Sequence, residues 1–563
     1  MNDQSIHADV MTAPTAPLSS TTHGVGNMPF DLPDYDAYES DAVLKGIVGR
    51  AGAQWVEADL SALGRRIGSA ELTELARLAN THKPVLHTHD RFGRRLDRVE
   101  YHPAYHELMR LAYQSRVHSL PWTETGEGRQ VARAAISYLW NQAENGINCP
   151  NTMSYSIPPL LRANPSAGAA WEAGVLSSHY DPRHIPARQK RGLTVAMSMT
   201  EKQGGSDIRL NETQAEPTGV PGEYVLRGHK FFCSAPMGDV YLFTARTKSG
   251  VSLFLAPRLL PDGRHNRVFI QRLKEKVGNW SNASSEIEID GALAYILGEE
   301  GHGIREFIKH MTHYIRLDLS IASVGIMRRA VTLAYQHVRN RRAFGSPIAD
   351  LPQMRNALAD MALEWEAALL LSMRMAGAYD EENKSEHEKL LLRVGVPIAK
   401  YWNCRRTNQV VVEAVECHGG MGYVEEQPIA RVLREAPLNS IWEGTSAMMG
   451  LDFIRAVRHN SGIRDVLLGE IREGSSGNNV LRRFADDFAN DLDRTNNDME
   501  PHARRLLGKA ALGLQASLMV RHAPSDIADL FVASRIQGGS SELGTLPAEG
   551  AILARICERA LPN

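Results

Sequence analysis

Leu193-Thr194-Val195-Ala196-Met197-Ser198-Met199-Thr200 is the stretch that decides the fold of this 563-residue chain. It joins β-branched and apolar residues in one short run, which is the composition of a buried strand. Gln203-Gly204-Gly205-Ser206-Asp207 follows directly, and adjacent glycines with Ser and Asp are typical of a tight turn. The sequence therefore predicts a strand that ends at a turn whose backbone can approach a ligand closely.

The segment after this turn repeats the pattern of short strands separated by turns. Pro221-Gly222 and Pro261-Asp262-Gly263 supply turn chemistry, and no helical period lies between them. Four further runs have the composition of strands, namely residues 224–227, 230–234, 240–245 and 251–256. Such a series predicts a small antiparallel barrel or sandwich.

Helical patterns lie on both sides of the strands. In the first part, Leu72, Leu75 and Leu78 recur at three-residue spacing, and Ser69 fits the N-cap of that helix. After the strands, long helices are predicted over residues 321–337, 352–379 and 389–415. We therefore expect a mainly α protein with a β-barrel middle domain. The predicted domains are an N-terminal tail or arm (1–40), an all-helical domain (41–182), the barrel (183–295), a helical bundle (296–450) and a C-terminal helical extension (451–563).

The overall composition carries no strong bias. Lys and Arg number 63 and Asp and Glu 65, so the net charge of −2 predicts neither a nucleic-acid nor a membrane partner. The five cysteines are scattered without a C-x-x-C pair, which favours a reduced compartment. His310 and His313 stand at helical spacing without a suitable carboxylate, so no metal site is predicted. With no apolar run of membrane length and no signal-peptide pattern, we expect a cytoplasmic protein.

Four motifs together resemble the acyl-CoA dehydrogenase flavoprotein family. They occur in the family's order between residues 190 and 450. The first motif, Thr200-Glu201-Lys202-Gln203-Gly204-Gly205-Ser206-Asp207, is similar to the family's Thr-Glu-x-x-x-Gly-Ser-Asp, and the second, Arg341-Arg342-Ala343-Phe344-Gly345, is similar to its Arg-x-x-Phe-Gly. The third, Gly419-Gly420-Met421-Gly422, resembles its Gly-Gly-x-Gly, and the fourth, Glu443-Gly444-Thr445, resembles its Glu-Gly-Thr.

Two details narrow the resemblance to one branch. Lys202-Gln203-Gly204-Gly205 and Asn439-Ser440-Ile441-Trp442-Glu443-Gly444 are similar to the AidB-type proteins of the adaptive response to DNA alkylation. This likeness extends over nearly the whole chain. It implies an acyl-CoA dehydrogenase fold with a C-terminal extension, an FAD cofactor and assembly as a homotetramer.

The resemblance also implies which residues contact FAD. From chemistry alone, Phe232 fits a barrel-core aromatic equally well, and Arg341 fits the solvated end of a basic helix. A planar guanidinium suits phosphate, and the resemblance implies that Arg341 reaches FAD across a subunit boundary. The implied FAD contacts are Met197, Met199, Thr200, Ser206, Phe232, Cys233, Ser234, Arg341, Phe344, Gly420, Ile441, Trp442, Thr445 and Ala447.

Glu443 is the candidate catalytic residue. It follows the apolar pair Ile441-Trp442, and an acid that is desolvated on one side has a raised pKa and can remove a weakly acidic C–H proton. Alone, a Glu beside a Trp is more commonly a surface or capping acid. The resemblance implies that Glu443 takes the α-proton of an acyl-CoA thioester while FAD accepts the β-hydride. Glu416 and Ala447 depart from residues that commonly support FAD, which weakens the case for a fast metabolic enzyme.

The C-terminal extension separates three hypotheses. The resemblance to AidB-type proteins implies that this extension binds double-stranded DNA. However, residues 451–563 contain 14 Lys or Arg and 15 Asp or Glu, so the extension has no excess of positive charge. DNA affinity depends on phosphate neutralisation, so only local clusters such as Arg482-Arg483, Arg504-Arg505 and Arg521-His522 are candidates. We favour an AidB-type protein with weak dehydrogenase activity and non-specific DNA binding. The alternatives are a catabolic acyl-CoA dehydrogenase whose extension serves assembly, and a flavin-bearing scaffold without turnover.

Overall fold

The computed structural model describes residues 22, 26–495, 498–538 and 541–561. Most of the predicted N-terminal tail, residues 1–21 and 23–25, lies outside them. The first part of the described chain is mostly helical. Its helices are α1 (Ala42–Arg50), α2 (Glu57–Ile67), α3 (Ala70–Thr81), α4 (Pro103–Gln114), α5 (Leu120–Thr123), α6 (Arg129–Ala143), α7 (Asn148–Ser156), α8 (Pro158–Ala163) and α9 (Pro165–Val175).

The prediction of an all-helical first domain was wrong at one place. Strands β1 (Val85–His89) and β2 (Arg95–Glu100) form an antiparallel hairpin between α3 and α4. Its turn is closed by the Asp90 carboxylate, which accepts hydrogen bonds from the backbone N–H groups of Phe92 and Arg94. The strands are short and rich in His, Thr and Arg, so they lack the apolar alternation that marks a strand in sequence.

The predicted barrel is confirmed. Its strands are β3 (Val195–Ser198), β4 (Gln214–Pro217), β5 (Glu223–Ser234), β6 (Val240–Thr247), β7 (Gly250–Pro257), β8 (Val268–Leu273) and β9 (Ser284–Leu297). Strand β3 pairs in parallel with β6 and antiparallel with β5, while β5, β9, β7 and β6 are joined by antiparallel pairs. These pairings form a closed circuit, so the sheet is a barrel rather than an open sandwich.

A buried ion pair ties the turn after β3 to the barrel wall. The Lys230 ammonium lies 2.6 Å from the Glu201 carboxylate, and both side chains are fully buried. The same carboxylate accepts a 2.6 Å hydrogen bond from the backbone N–H of Glu212. Because a buried charge must be paired and hydrogen-bonded, the Glu of the Thr-Glu motif has a structural role that holds the turn against β5.

A helical bundle follows the barrel. It comprises α10 (Gly303–Phe307), a π-helical turn at Ile308–Thr312, α11 (His313–Asn340), α12 (Pro352–Glu381), α13 (Glu386–Cys417), α14 (Pro428–Glu435) and α15 (Ser446–His459). A two-residue hairpin, β10 (Arg342–Ala343) with β11 (Ser346–Pro347), lies directly after α11. More than half of the residues in each of the three long helices are buried, as expected for the centre of a bundle.

The described residues after the bundle form five more α-helices, α16 (Ser461–Glu473), α17 (Asn479–Arg494), α18 (Ala503–His522), α19 (Ser525–Phe531) and α20 (Ala551–Ala560), and a π-helical turn at Val532–Gln537. Their apolar residues belong to the same continuous core as those of α12 and α13. The buried Arg535 forms ion pairs with Asp360 and Glu364 of α12. The C-terminal helices therefore pack directly on the bundle. No helix in the described ranges is long and apolar enough to cross a membrane.

Candidate active site

Glu443 lines a small cavity between the barrel and the helices. The cavity has a volume of about 30 Å³. Helix α7 contributes Cys149, Thr152 and Met153, and α11 contributes Ile315 and Leu319, each set at the i, i+3 or i+4 spacing of one helix face. Four residues predicted from the sequence complete the lining, namely Met197, Ser234, Trp442 and Glu443.

The cavity has a closed inner end and a more open mouth. The residues from α7 and α11 are all buried, whereas Met197, Ser234, Trp442 and Glu443 are half-buried. Met197 and Ser234 face each other as a cross-strand pair of β3 and β5. The mouth is therefore formed by the barrel edge on one side and the Trp442-Glu443 segment on the other.

The backbone at Glu443 is held in an unusual conformation. Glu443 has φ +55° and Gly444 has φ +108°, and the former lies in the left-handed region that non-glycine residues rarely adopt. Arg316 of α11 donates a 3.2 Å hydrogen bond to the Glu443 carbonyl oxygen, and Lys400 of α13 donates to the Gly444 carbonyl oxygen. Two cations thus hold both carbonyl groups of the segment.

The electrostatic surroundings of the Glu443 carboxyl suit a general base. Burial raises the pKa of the Glu443 carboxyl above its usual value, while the positive charges of Arg316 and then Lys400 oppose this rise. Arg316 also pairs with Asp452 at 2.6 Å, so its charge is shared. Beside the carboxylate, burial raises the pKa of the Cys149 thiol to about 11, which leaves it neutral near pH 7.

Residues on β5 show which side of the barrel faces this mouth. Phe232 is 47% exposed and Ser234 lines the cavity, whereas the side chain of Cys233 between them is fully buried in the barrel core. Cys233 can therefore meet a ligand only through its main chain. Ile441 is 58% exposed. An uncovered aromatic beside polar strand ends fits the apolar face and polar rim of a flavin ring.

The turn after β3 has the shape that its glycines suggested. A Cβ at Gly205 would lie 2.9 Å from the side chain of Thr200, so this position closes over the end of the strand and cannot carry a side chain without movement. Ser206 is exposed and Thr200 half-buried. The neighbouring Met199 packs partly against the apolar cluster that includes the cavity wall. These groups leave polar atoms on the surface next to Phe232, which also fits a flavin.

Thr445 and Ala447 lie at the start of α15 and are both exposed. Thr445 is the N-cap residue of this helix, whose first turn contains no acidic residue. Because unpaired backbone N–H groups favour an anion at such an end, the location is compatible with a phosphate-bearing cofactor.

Three predicted cofactor contacts lie elsewhere. Arg341 ends α11, and roughly 25 residues of helix separate it from Arg316, a distance of about 37 Å. Phe344 is 95% exposed in the hairpin that follows, and Gly420 is exposed in the short 3₁₀ helix Gly419–Tyr423 after α13. Within one chain these three residues do not reach the Glu443 cavity.

Sequence reasoning missed the residues that hold Glu443 and close the cavity. Arg316, Lys400, Thr152 and Asp318 lie far from Glu443 along the chain and belong to helices without a distinctive local motif. Only their packing brings them to one place. No local signal would have identified them.

One group of side chains in the described residues has metal-ligand geometry, namely His387, Glu388 and Glu470. Arg374 makes ion pairs with both carboxylates, at 2.7 Å to Glu388 and 2.6 Å to Glu470. The guanidinium therefore already neutralises these acids, and the cluster is an ion-pair network that joins α12, α13 and α16.

Comparison with known proteins decides the family. Three family models match the chain: the adaptive response protein AidB N-terminal domain over residues 27–182, the acyl-CoA dehydrogenase middle domain over 196–292, and the acyl-CoA dehydrogenase C-terminal domain over 301–457. AidB of Escherichia coli (strain K12) is 44% identical over 448 residues, which cover 79% of this chain and 82% of that protein. The chain belongs to the AidB branch of the acyl-CoA dehydrogenase family.

One further relative belongs to the same wider family, and one solved structure shares the fold. Acyl-CoA dehydrogenase family member 11 of Caenorhabditis elegans is 30% identical over 76% of this chain and 70% of that protein. The crystal structure of Caenorhabditis elegans ACDH-11 in complex with C11-CoA has a TM-score of 0.82 at 24% identity, and it covers 97% of this chain and 94% of that chain. At this identity the structural match shows the fold alone.

Family membership also fixes the chemistry class. Acyl-CoA dehydrogenases are FAD-dependent oxidoreductases, and this AidB-branch chain is one of them. The uncovered Phe232 and the close backbone approach at Gly205 are compatible with such a cofactor. The predicted family, fold class and cofactor are thus confirmed.

Proposed function

We propose that Glu443 is the catalytic base of a weak acyl-CoA dehydrogenase. The observation that carries this proposal is its carboxylate at the mouth of a small cavity, with a pKa raised by burial. Trp442 and Met197 exclude water from the same mouth, and Ser234 offers a hydroxyl to the cofactor side. When bound, FAD supplies the acceptor for the hydride that leaves the β-carbon.

The cofactor contacts divide between two places. One side of FAD would be held by residues of the barrel and of the segment around Glu443. These residues are Met197, Met199, Thr200, Ser206, Phe232, the main chain of Cys233, Ser234, Ile441, Trp442, Thr445 and Ala447. Arg341, Phe344 and Gly420 are too distant in the same chain, so we propose that they reach the FAD of a neighbouring subunit. A homotetramer satisfies this requirement.

The experiment is bleaching of the oxidised flavin absorbance by short and branched acyl-CoA thioesters under anaerobic conditions. The wild-type protein is expected to bleach slowly, and Glu443→Gln is expected to lose at least about 100-fold of the rate, as for loss of a general base. Glu425→Gln is the matched control, because this exposed acid lies outside the cavity. Equal bleaching by Glu443→Gln would overturn the assignment of the base.

We further propose that this cytoplasmic protein binds double-stranded DNA non-specifically in the alkylation response. In the C-terminal helices Arg482, Arg483 and Arg504 are exposed, and among the described residues none of them has an ion-pair partner. By contrast, Arg505 pairs with Asp491. Their unpaired guanidinium groups are available to phosphates.

A mobility-shift titration of duplex DNA over a salt series tests this proposal. The variant Arg482→Gln/Arg483→Gln/Arg504→Gln is expected to weaken binding and to reduce the slope of log K against log salt by about 0.9 for each phosphate that is no longer neutralised. Arg505→Gln is the matched control, since its cation is already paired. If duplex DNA shows no mobility shift at low salt, the DNA-binding proposal is wrong.

A catabolic dehydrogenase whose extension serves only assembly is the second candidate. It is favoured by the ion pairs that occupy many C-terminal cations, including Arg464 with Asp493 and Arg521 with Glu473. The continuous core between these helices and the bundle points the same way. Rapid bleaching together with no DNA retention would favour this candidate.

A further inference from the structure

The inner end of the Glu443 cavity is closed by a charged network rather than by apolar side chains alone. Thr152 lines the cavity and its hydroxyl donates a hydrogen bond to the Asp318 carboxylate. Arg133 of α6 forms an ion pair with the same carboxylate, and the side chains of Arg133 and Asp318 are 1% and 0% exposed. Ser137 donates a further hydrogen bond to it at 2.7 Å. Three helices, α6, α7 and α11, therefore meet in one buried network behind the cavity.

This network prevents the inner wall from moving back. Arg133 is itself fixed by a 2.7 Å hydrogen bond to the Val117 carbonyl and lies 3.5 Å from the ring centre of Tyr155. Displacing Thr152 would leave a buried carboxylate short of a donor, which is costly in a low-dielectric interior. An apolar wall of Leu or Met could repack around a longer ligand, whereas this wall is held by charge-assisted hydrogen bonds.

The orientation of Thr152 determines what a ligand meets. Because its hydroxyl is directed to Asp318, the methyl group is the part of the side chain left to face the cavity. A cavity of about 30 Å³ holds roughly two water-sized groups. Once the carbonyl, α- and β-carbons of a thioester occupy the mouth beside Glu443, there is space for roughly one or two further carbons.

We propose that Thr152, held by the buried Arg133–Asp318 pair, is the residue that limits this site to short acyl groups of about four carbons. The inference rests on the proposed function, since it assumes that the acyl group enters the Glu443 cavity. It adds the chain-length class of the substrate and the residue that sets it. Each carbon beyond the limit must displace a packed and hydrogen-bonded wall, which lowers affinity by about tenfold or more.

The test uses the FAD-loaded protein and S-alkyl-CoA thioethers, which cannot be dehydrogenated, with affinities measured by calorimetric titration. S-butyl-CoA is expected to bind at least about tenfold more tightly than S-octyl-CoA. Thr152→Ser keeps the hydroxyl and removes the methyl group, so it is expected to move the preferred length by about one carbon. Equal affinity of wild type for the two thioethers would overturn the proposal.

The matched control is Thr152→Val, which keeps the methyl group and removes the hydroxyl. It is expected to retain the wild-type length preference while the melting temperature falls, because Asp318 loses a donor. A shift in length preference equal to that of Thr152→Ser would contradict the assignment to the methyl group. Thioether affinity does not depend on turnover, so this test is separate from the bleaching experiment. If no acyl-CoA bleaches the flavin, the dehydrogenase proposal is wrong. If the affinity for S-alkyl-CoA thioethers does not change with chain length, the present proposal is wrong.

Discussion

At the scale of single residues, the backbone of Glu443 is the feature that needs explanation. A left-handed conformation at a non-glycine residue costs on the order of 1–3 kcal/mol and persists only where its surroundings enforce it. Arg316 and Lys400 hold the carbonyl groups of Glu443 and Gly444. They therefore stabilise the segment and, through their charge, limit how far burial raises the pKa of the carboxyl.

Lys400→Met tests this double role. Removing the cation takes away an influence that lowers the pKa of Glu443, so that pKa is expected to rise. A base works only when deprotonated, and activity is lost as pH falls through its pKa. The acid limb of kcat/KM against pH should therefore move to higher pH, with Lys400→Arg close to wild type. An unchanged limb, or one at lower pH, would show that Lys400 does not act on Glu443.

At the scale of elements, β5 combines two tasks because its pairing with β9 shifts register between Lys230 and Cys233, which changes the face on which the later side chains lie. Lys230 lies inside the barrel and pairs with Glu201, whereas Phe232 is exposed and Ser234 lines the cavity. The pair connects β5 to the turn that carries Ser206. The position of this turn thus depends on a buried ion pair.

Lys230→Met is expected to destabilise the protein by about 3–5 kcal/mol, because it leaves the Glu201 carboxylate buried and unpaired. The double variant Glu201→Gln/Lys230→Met removes both charges and is expected to recover part of this loss. Chemical denaturation followed by tryptophan fluorescence measures both. If the double variant were no more stable than Lys230→Met, the loss would come from packing rather than from the unpaired charge.

At the scale of the whole molecule, the first helices, the barrel and the bundle meet at two buried acids. The Glu435 carboxylate of α14 accepts a 2.6 Å hydrogen bond from the backbone N–H of Asn279, and Glu144 after α6 accepts one from Ser281 at 2.7 Å. Burial and the nearby Glu144 raise the pKa of Glu435 to about 7. The junction of three parts of the fold therefore contains an acid that titrates near neutrality.

The stability of this junction should depend on pH. The pKa of Glu435 is raised on folding from 4.5 to about 7, so the folded state holds more protons between these values and stability falls as pH rises through them. Glu435→Gln cannot titrate, and its melting temperature relative to wild type is expected to rise by about 1–3 °C between pH 5 and pH 8. Glu426→Gln, at an exposed acid, is the control. If the difference in melting temperature between Glu435→Gln and wild type did not change with pH, this prediction would be wrong.

The distance between Arg341 and Glu443 gives a prediction about assembly. If each FAD site combines Glu443 of one chain with Arg341 of its neighbour, Glu443→Gln and Arg341→Ala should each be inactive alone. Mixed assemblies of the two variants should regain activity, because one site then holds both wild-type residues. Co-expression with two affinity tags, followed by flavin bleaching, measures this recovery. No recovery in purified mixed assemblies would place Arg341 outside the site.

The sequence predicted some features of the fold and missed others. Turn chemistry and strand composition predicted the barrel, and three-residue spacing predicted the long helices, because both signals are local. The hairpin of β1 and β2 escaped prediction because its His, Thr and Arg residues show no apolar alternation. The motif order correctly indicated the family. The domain boundaries and the roles of individual site residues stay predictions.

The sequence by itself determined the order of a helical part, a barrel and a helical bundle, the family, and the presence of an acid after Trp442. Only the tertiary structure decided that this acid meets Met197 and Ser234 at a cavity mouth, that Cys233 points away, and that Arg341 is out of reach. It also decided that Thr152 and a buried ion pair close the cavity. The physical reason is that periodicity records which face of an element is buried, whereas contacts between residues more than a hundred positions apart depend on how those faces pack.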